Sequence, residues 1–252
     1  MKPAPISIQL YSVREEAARD FPGTLKKIAD IGYAGVEFAG FHGMKPAEVK
    51  KIVDKLGLKV SSSHMAMPTA ENAKELVETA KTLGFTDIVT GLGPDDFATL
   101  EKTQASIATF KKAAAALKGT GFRLGVHNHW WEFDKKFDGK YPHDLLMAAV
   151  PELTAELDTY WIATGGADPA EVVKRVGNRA PLLHIKDGPC NKNEAMTAVG
   201  KGKVRWDLVL KAAVPTVEWL IVELDRCDTD MMEAVADSYR FLVKSGYGRG
   251  RK

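Results

Sequence analysis

The sequence predicts a single α/β domain folded as a (β/α)8 TIM barrel, and three observations support this prediction. The chain has 252 residues, the usual size of such a barrel. Strand-like apolar runs alternate with amphipathic helix-like segments along its whole length. No segment resembles an interdomain linker. We therefore expect one domain over 1–252, with a frayed glycine-rich tail at about 246–252.

Eight strand-like segments can be counted, and each is short and rich in apolar residues. They lie near 6–10, 35–38, 58–63, 86–90, 122–127, 154–157, 181–185 and 218–223. Eight βα units could also form an open doubly wound sheet. However, Gln9-Leu10-Tyr11-Ser12 stands where that fold would carry G-x-G-x-x-G, and candidate ligands follow four successive strands. A closed barrel gathers those strand ends more readily.

The segments between the strands carry the start and stop signals of helices. Val49, Ile52, Val53 and Leu56 have helical spacing, and Pro46 suits the first turn of that helix. A glycine closes this helix, and Gly84 closes the next one in the same way, as expected of a helix C-terminus that turns back into a sheet. In Asp168-Pro169-Ala170-Glu171 the aspartate is a predicted N-cap.

Composition and charge limit the partners. The net charge of +2 gives no reason to expect nucleic acid, and no run approaches the about 18 apolar residues of a membrane span. Cys190 and Cys227 do not form a disulfide framework, so we expect free thiols and a cytoplasmic protein. A trimmed leader would not be visible. The expected partner is a small-molecule sugar or keto-sugar, and the sequence leaves open a homo-oligomer.

Three strands in the second half of the chain end in side chains that bind metals. Asp158 follows Ala155-Glu156-Leu157, His184 lies inside Leu182–Ile185, and Glu223 follows Leu220-Ile221-Val222. A buried carboxylate is costly unless it is paired or bound to a metal, so Glu223 is the most informative of the three. Parallel strands of a barrel end on one face, so these groups are predicted to converge on one divalent ion.

The fourth ligand is open to two interpretations. In His127-Asn128-His129-Trp130-Trp131-Glu132, the two histidines share one face of a strand, and Glu132 lies just beyond it. We favour Glu132 as the fourth ligand, with His127 and His129 contacting substrate. His127 as the ligand is the alternative.

Other side chains at strand ends are predicted to line the pocket. Glu37 and His64 either contact substrate or satisfy a local hydrogen bond, and Lys186 shares the face of His184. Trp161 offers an aromatic face that suits a sugar ring. The loop Gly200-Lys201-Gly202-Lys203 is predicted to be a flexible lid, with a phosphate cradle as the alternative.

These strand-end motifs together resemble the xylose-isomerase-like TIM barrel superfamily. Within it, the chain is similar to the sugar phosphate isomerase/epimerase group, which includes ketose 3-epimerases, hydroxypyruvate isomerase and inosose dehydratase. The motifs that carry the resemblance are Gln9-Leu10-Tyr11, Gly35-Val36-Glu37-Phe38, His127–Phe133, Leu157-Asp158-Thr159, His184–Asp187 and Val199–Gly202.

The resemblance implies a divalent metal ion held by Glu-Asp-His-Glu, with Mn²⁺ favoured over Mg²⁺, Co²⁺ and Zn²⁺. Asp158, His184 and Glu223 match this set. The first glutamate does not match, because ketose epimerases carry it where this sequence has His127. The departure makes the chain more similar to the branch that contains the dehydratase and enzymes acting on 3-keto sugars.

The predicted function is therefore metal-assisted isomerisation or epimerisation by proton abstraction next to a carbonyl of a sugar or keto-sugar. Glu223 or Glu132 would be the base, and Glu132, His129 or Lys186 would return the proton. Loss of a β-substituent from the same enediolate would instead give a lyase or dehydratase acting on a keto-inositol or 3-keto-glycoside. A DNA-repair endonuclease is disfavoured by the six histidines and near-neutral charge, and a non-catalytic sugar-binding barrel by the intact ligand set.

Overall fold

A computed structural model describes residues 3–213 and 216–251. Among these residues eight parallel strands form a barrel, which confirms the predicted fold class. The barrel strands are Ala4–Gln9 (β1), Gly35–Phe38 (β2), Lys59–His64 (β3), Asp87–Thr90 (β4), Arg123–His127 (β5), Thr154–Asp158 (β6), Leu182–Ile185 (β7) and Trp219–Val222 (β8). β1 pairs with both β2 and β8, so the sheet closes on itself. An open doubly wound sheet would instead have two edge strands, each paired on one side only.

Ten α-helices surround the barrel in the described part of the chain. They are Arg14–Arg19 (α1), Phe21–Ile31 (α2), Pro46–Lys55 (α3), Ala73–Leu83 (α4), Leu100–Leu117 (α5), Pro142–Ala149 (α6), Thr159–Thr164 (α7), Pro169–Val176 (α8), Trp206–Ala213 (α9) and Met231–Lys244 (α10). Short 3-10 turns lie at Leu10–Val13, Pro94–Phe97 and Gly177–Arg179. Among the described residues no helix is long and apolar enough to cross a membrane.

The local signals predicted from sequence are present in the helices. Asp168 accepts hydrogen bonds from the backbone N–H groups of Ala170 and Glu171, so it caps α8 as expected. Gly84 ends α4 with φ of +83°, a left-handed conformation that a residue with a Cβ adopts only at a cost. These signals determine where each helix returns the chain to the barrel.

The core has a main layer between strands and helices and a small cluster inside the barrel. Val89, Leu182 and Ile221 form this inner cluster, separate from the main core. Towards the amino ends of the strands, Arg123 donates hydrogen bonds to the carboxylates of Asp87 and Glu218. Because side chains alternate along each strand, Leu182 is followed on the same inward face by His184 and then Lys186. The inner apolar layer therefore supports a polar layer at the carboxyl ends.

The carboxyl-terminal segment differs from the frayed tail that the sequence predicts. Gly248–Arg249 (β9) pairs in parallel with β1, and the backbone N–H of Arg251 donates to the carbonyl of Gly32. Glycines give the segment little side-chain packing of its own, but backbone pairing to a neighbouring strand does not require side chains. Lys252 lies outside the described residues.

Candidate metal centre at the carboxyl ends of the strands

Four side chains from four consecutive strands converge at the carboxyl end of the barrel. His127 and Asp158 are the last residues of β5 and β6, His184 is the third residue of β7, and Glu223 directly follows β8. One potential ligand atom from each lies within 4.8 Å of those from the other three. The register explains part of this, since Asp158 and His184 are directly paired in neighbouring strands. Asp158, His184 and Glu223 are thus brought together as the strand-end pattern predicts.

The closest contacts within this group involve His184 and Lys186. Nδ1 of His184 lies 2.7 Å from Oε2 of Glu223 and 3.9 Å from Oδ2 of Asp158. Nζ of Lys186 lies 2.8 Å from the same oxygen of Glu223 and 3.0 Å from Oδ2 of Asp158. A third carboxylate, that of Asp225, lies 2.9 Å from this ammonium. The lysine therefore neutralises part of a strongly acidic cluster.

These donor atoms fit a divalent cation. Oδ2 of Asp158, Oε2 of Glu223 and Nδ1 of His184 are buried, and the described residues offer none of them a partner with hydrogen-bond geometry. Buried polar atoms in native proteins are almost always satisfied, so three such atoms facing one another call for a further partner. Carboxylate oxygen and imidazole nitrogen are ligands that Mn²⁺, Zn²⁺ and related ions share.

Burial and neighbouring charges oppose each other at these groups. Burial lowers the pKa of His184, but the carboxylates of Glu156, Glu223 and Glu37 outweigh it and raise the pKa well above its ordinary value. Burial raises the pKa of Glu223, but the charges of Lys186 and His184 outweigh it and hold the pKa well below the usual range. Glu223 is thus an ionised carboxylate in the metal-free protein.

Glu132, the predicted fourth ligand, is buried but is not part of the converging group. Its Oε2 accepts the backbone N–H of His129 at 2.9 Å, and its Oε1 has no hydrogen-bond partner within the described chain. Burial raises the pKa of Glu132 to about 8, so this carboxyl is protonated at neutral pH. The ligand atom of His127 occupies the fourth place among the grouped atoms. Whether Glu132 or His127 binds an ion stays a prediction.

The predicted substrate-binding residues fall into two layers. Glu37 lies deep in the barrel, where it is completely buried, and His64 contacts the carboxylate of Glu156 at 2.6 Å. His129 lies above them, stacked on Trp131 with ring centroids 4.1 Å apart. The ring centroid of Trp161 is 6.5 Å from that of His129 and 5.4 Å from Nζ of Lys186. His129 and Trp161 are half-buried, so this upper layer brings aromatic rings to the mouth of the barrel.

Two acidic residues that the sequence analysis did not single out have central positions. Glu156 is completely buried beneath the site, where its Oε2 contacts His64, His127 and His184 at 2.6–3.1 Å. Its signal was available, because Glu156 lies two residues before Asp158 on the same face of an otherwise apolar strand.

Asp187, the second of these residues, organises the loop after β7. Its carboxylate accepts the backbone N–H groups of Gly188, Gly200 and Val204 and the indole N–H of Trp206. The loop that the sequence offers as a lid or a phosphate cradle is thus closed around a side chain of the protein itself. One of the N–H groups available to a phosphate there, that of Gly200, is already used.

Comparison with known proteins identifies the family. A family model described as xylose isomerase-like TIM barrel matches residues 25–244. The chain belongs to this family. No curated protein matches the chain. Among solved structures, a sugar phosphate isomerase/epimerase from Parabacteroides distasonis is similar over 99% of this chain and 96% of its own, with 25% identity and a TM-score of 0.78.

Two further structures show how widely the fold is used. The probable 3-DHS dehydratase AsbF of Bacillus anthracis has 13% identity and a TM-score of 0.77, with 95% of this chain and 98% of that chain covered. The IOLI protein, whose crystal structure contains a zinc atom, has 14% identity and a TM-score of 0.73, with 95% of this chain and 97% of that chain covered. At these identities the likeness shows the fold alone.

Proposed function

We propose that this protein is a divalent-metal-dependent isomerase or epimerase that removes a proton next to the carbonyl of a sugar or keto-sugar. The observation that carries the proposal is the convergence of His127, Asp158, His184 and Glu223, with three buried donor atoms that lack hydrogen-bond partners among the described residues. Membership of the family and the similar sugar phosphate isomerase/epimerase support the same reaction class.

Asp158, His184 and Glu223 would hold the metal ion, together with either His127 or Glu132. Mn²⁺ is favoured, with Mg²⁺, Co²⁺ and Zn²⁺ as alternatives, and the zinc atom in the IOLI protein supports a divalent ion in this fold. When bound, the ion supplies a Lewis acid that polarises the substrate carbonyl and stabilises negative charge on its oxygen.

The protein's own groups would carry the proton. Glu223 is ionised and can accept a proton from the carbon next to the carbonyl. Glu132 is protonated at neutral pH, and Lys186 is an ammonium because neighbouring carboxylates outweigh the effect of burial and raise its pKa well above its ordinary value. Either can return a proton. Two groups in opposite protonation states are the arrangement that acid–base catalysis requires.

The upper aromatic layer would bind the sugar. Nδ1 of His129 and Nε1 of Trp161 are buried, and neither finds a hydrogen-bond partner in the described residues. Both can bond to hydroxyl groups, while the face of Trp161 would pack on the apolar C–H face of a pyranose ring. The proposed substrate would thus be held by its hydroxyls at the mouth of the barrel, with its carbonyl directed towards His127, Asp158, His184 and Glu223.

A lyase or dehydratase acting on a keto-inositol or 3-keto-glycoside is the second candidate. The observation that favours it is that the acid–base groups are not a symmetric pair of glutamates. His127 stands at the end of β5, and the ammonium of Lys186 lies 2.8 Å from Oε2 of Glu223. An ammonium can protonate a leaving hydroxyl or glycosidic oxygen after the first proton is removed. Both reactions share the first step, so one exchange experiment tests them together.

The test is deuterium incorporation in heavy water, followed by NMR over a panel of keto-sugars and 3-keto-glycosides with added Mn²⁺. Wild-type protein is expected to exchange the proton next to the carbonyl, and Glu223→Gln to abolish exchange while the far-UV circular dichroism stays the same. Glu233→Gln, on the exposed surface of α10, is the matched control and should exchange like wild type. Exchange retained in Glu223→Gln would show that Glu223 is not the base. Absence of exchange in the wild type with every substrate would overturn the proposed function.

A further inference from the structure

Two completely buried carboxylates lie beneath the candidate metal group: Glu37 contacts the imidazole of His184, and Glu156 contacts those of His127 and, at 3.1 Å, His184. Nε2 of His184 lies 2.7 Å from Oε1 of Glu37, and Nδ1 of His127 lies 3.1 Å from Oε2 of Glu156. Glu156 is paired with His127 in the sheet and precedes Asp158 by two residues on the same strand. The two carboxylates therefore lie below the candidate metal group, closer to the middle of the barrel.

When an imidazole is neutral, as it must be to bind a metal, these contacts favour one of its two tautomers. A neutral imidazole donates from one nitrogen and accepts at the other. If His184 donates Nε2–H to Glu37, its lone pair is on Nδ1, which is the atom 2.7 Å from Glu223. If His127 donates Nδ1–H to Glu156, its lone pair is on Nε2. For His184 the carboxylate thus takes the nitrogen that does not face Glu223, and for His127 it leaves Nε2 as the nitrogen available to an ion.

The two carboxylates are themselves held in place by other residues. Nε2 of Gln9 donates to Oε1 of Glu37 at 2.7 Å, and the hydroxyl of Ser62 donates to the other oxygen of Glu37. Oε2 of Glu156 contacts Nε2 of His64 at 2.6 Å. These partners come from β1 and β3, on the far side of the barrel from β6. Both carboxylates are thus held in place by the fold before any ion binds.

We propose that Glu37 and Glu156 are positioning residues that orient the imidazoles of His184 and His127 for a metal ion. The inference rests on the proposed metal-dependent function and deepens it. It assigns Glu37 to the support of a ligand rather than to substrate contact, and it gives Glu156 a role. Carboxylates that accept the second N–H of a metal-bound imidazole fix its tautomer and raise its basicity.

The first measurement needs no metal. Long-range ¹H–¹⁵N NMR spectra of the metal-free protein report which nitrogen of His127 carries the proton, with the signal assigned by its loss in His127→Gln. The expected result is a proton on Nδ1 in the wild type and a loss of this preference in Glu156→Gln. A wild-type proton on Nε2, or an unchanged tautomer in Glu156→Gln, would overturn the inference.

The second measurement is the affinity for Mn²⁺ and the visible spectrum of the Co²⁺-loaded protein. Glu156→Gln and Glu37→Gln are each expected to weaken Mn²⁺ binding about 10-fold to 100-fold and to change the Co²⁺ spectrum. Asp87→Asn is the matched control, because Asp87 is equally buried but lies at the opposite end of the barrel. It should lower the melting temperature without changing Mn²⁺ affinity.

The outcomes separate this inference from the proposed function. Wild-type protein that binds Mn²⁺ through the predicted tautomer, but exchanges no substrate proton, contradicts the reaction and leaves the inference standing. Glu37→Gln and Glu156→Gln proteins that bind Mn²⁺ as the wild type does contradict the inference, whatever the reaction. Two bound ions per chain, of which Glu156→Gln loses one, would show that Glu156 is itself a ligand and would also overturn it.

Discussion

Nζ of Lys186 lies 2.8 Å from Oε2 of Glu223, and both groups are almost completely buried. The same ammonium is 3.0 Å from Oδ2 of Asp158, so one protein cation contacts two of the oxygens that would bind a metal. At this distance two unit charges interact by several kcal/mol even at an effective dielectric constant of about 20. A metal ion and Lys186 must therefore share, or compete for, the same carboxylates.

Replacement of Lys186 by methionine is expected to tighten metal binding while it lowers activity. Without the competing ammonium, Mn²⁺ affinity should rise about tenfold or more, since tenfold corresponds to about 1.4 kcal/mol. Loss of a proton donor should lower the rate of substrate proton exchange by about 10²-fold to 10⁴-fold. Calorimetric titration with Mn²⁺ and exchange in heavy water measure the two effects.

Lys201→Met is the control for this variant, because Lys201 is exposed and pairs with Asp237 away from the site. It should change neither measurement. Weaker Mn²⁺ binding in Lys186→Met would contradict competition between Lys186 and the metal ion. It would show instead that the ammonium holds the carboxylates of Asp158 and Glu223 in place for the ion.

The identity of the fourth ligand can be decided by a pair of variants. If His127 is the ligand, His127→Ala should weaken Mn²⁺ binding by at least the about 10-fold to 100-fold that the loss of an outer-shell partner costs. Glu132→Gln keeps the shape of the side chain and should change the affinity less than about threefold, yet reduce proton exchange because the donor is lost. The reverse pattern, with affinity lost only in Glu132→Gln, would establish Glu132 as the ligand.

His143 is expected to make the stability of the protein depend on pH below 6.5. The side chain is completely buried against Phe133, and neither ring nitrogen has a hydrogen-bond partner within the described residues. Burial lowers the pKa of His143 to about 4, with Arg175 and Arg179 adding to this effect against the opposing charge of Asp144. Between pH 6.5 and 4 the unfolded state alone binds the proton, so folding loses stability as the pH falls.

His143→Phe removes this proton-binding group and keeps the aromatic packing on Phe133. The free energy of unfolding of this variant relative to wild type should rise by about 3 kcal/mol between pH 7 and pH 4. Urea denaturation of both proteins at the two pH values measures the difference. A difference that does not change with pH would show that the pKa of His143 is the same in the folded and the unfolded protein.

Much of the fold could be predicted from the sequence, because buried parallel strands are apolar runs bounded by turn signals. All eight predicted strands are present, and the segment predicted at 154–157 is Thr154–Asp158 in the structure. The convergence of Asp158, His184 and Glu223 could also be predicted, since all strands of a parallel barrel end on one face. The tail could not, because β9 is held by backbone pairing to β1 rather than by its own side chains.

The sequence by itself determined the barrel class, the polar carboxyl ends of its strands and three of the grouped side chains, because alternation along a strand decides which face each residue occupies. It did not determine how deep each polar side chain lies in the barrel, or which side chains from other strands it contacts. Those depend on strand register and closure, which place Glu156 beside His127, His184 between Glu37 and Glu223, and Lys186 between Asp158 and Glu223. Only the tertiary structure therefore separated the grouped atoms of His127, Asp158, His184 and Glu223 from the buried carboxylates of Glu37 and Glu156 beneath them.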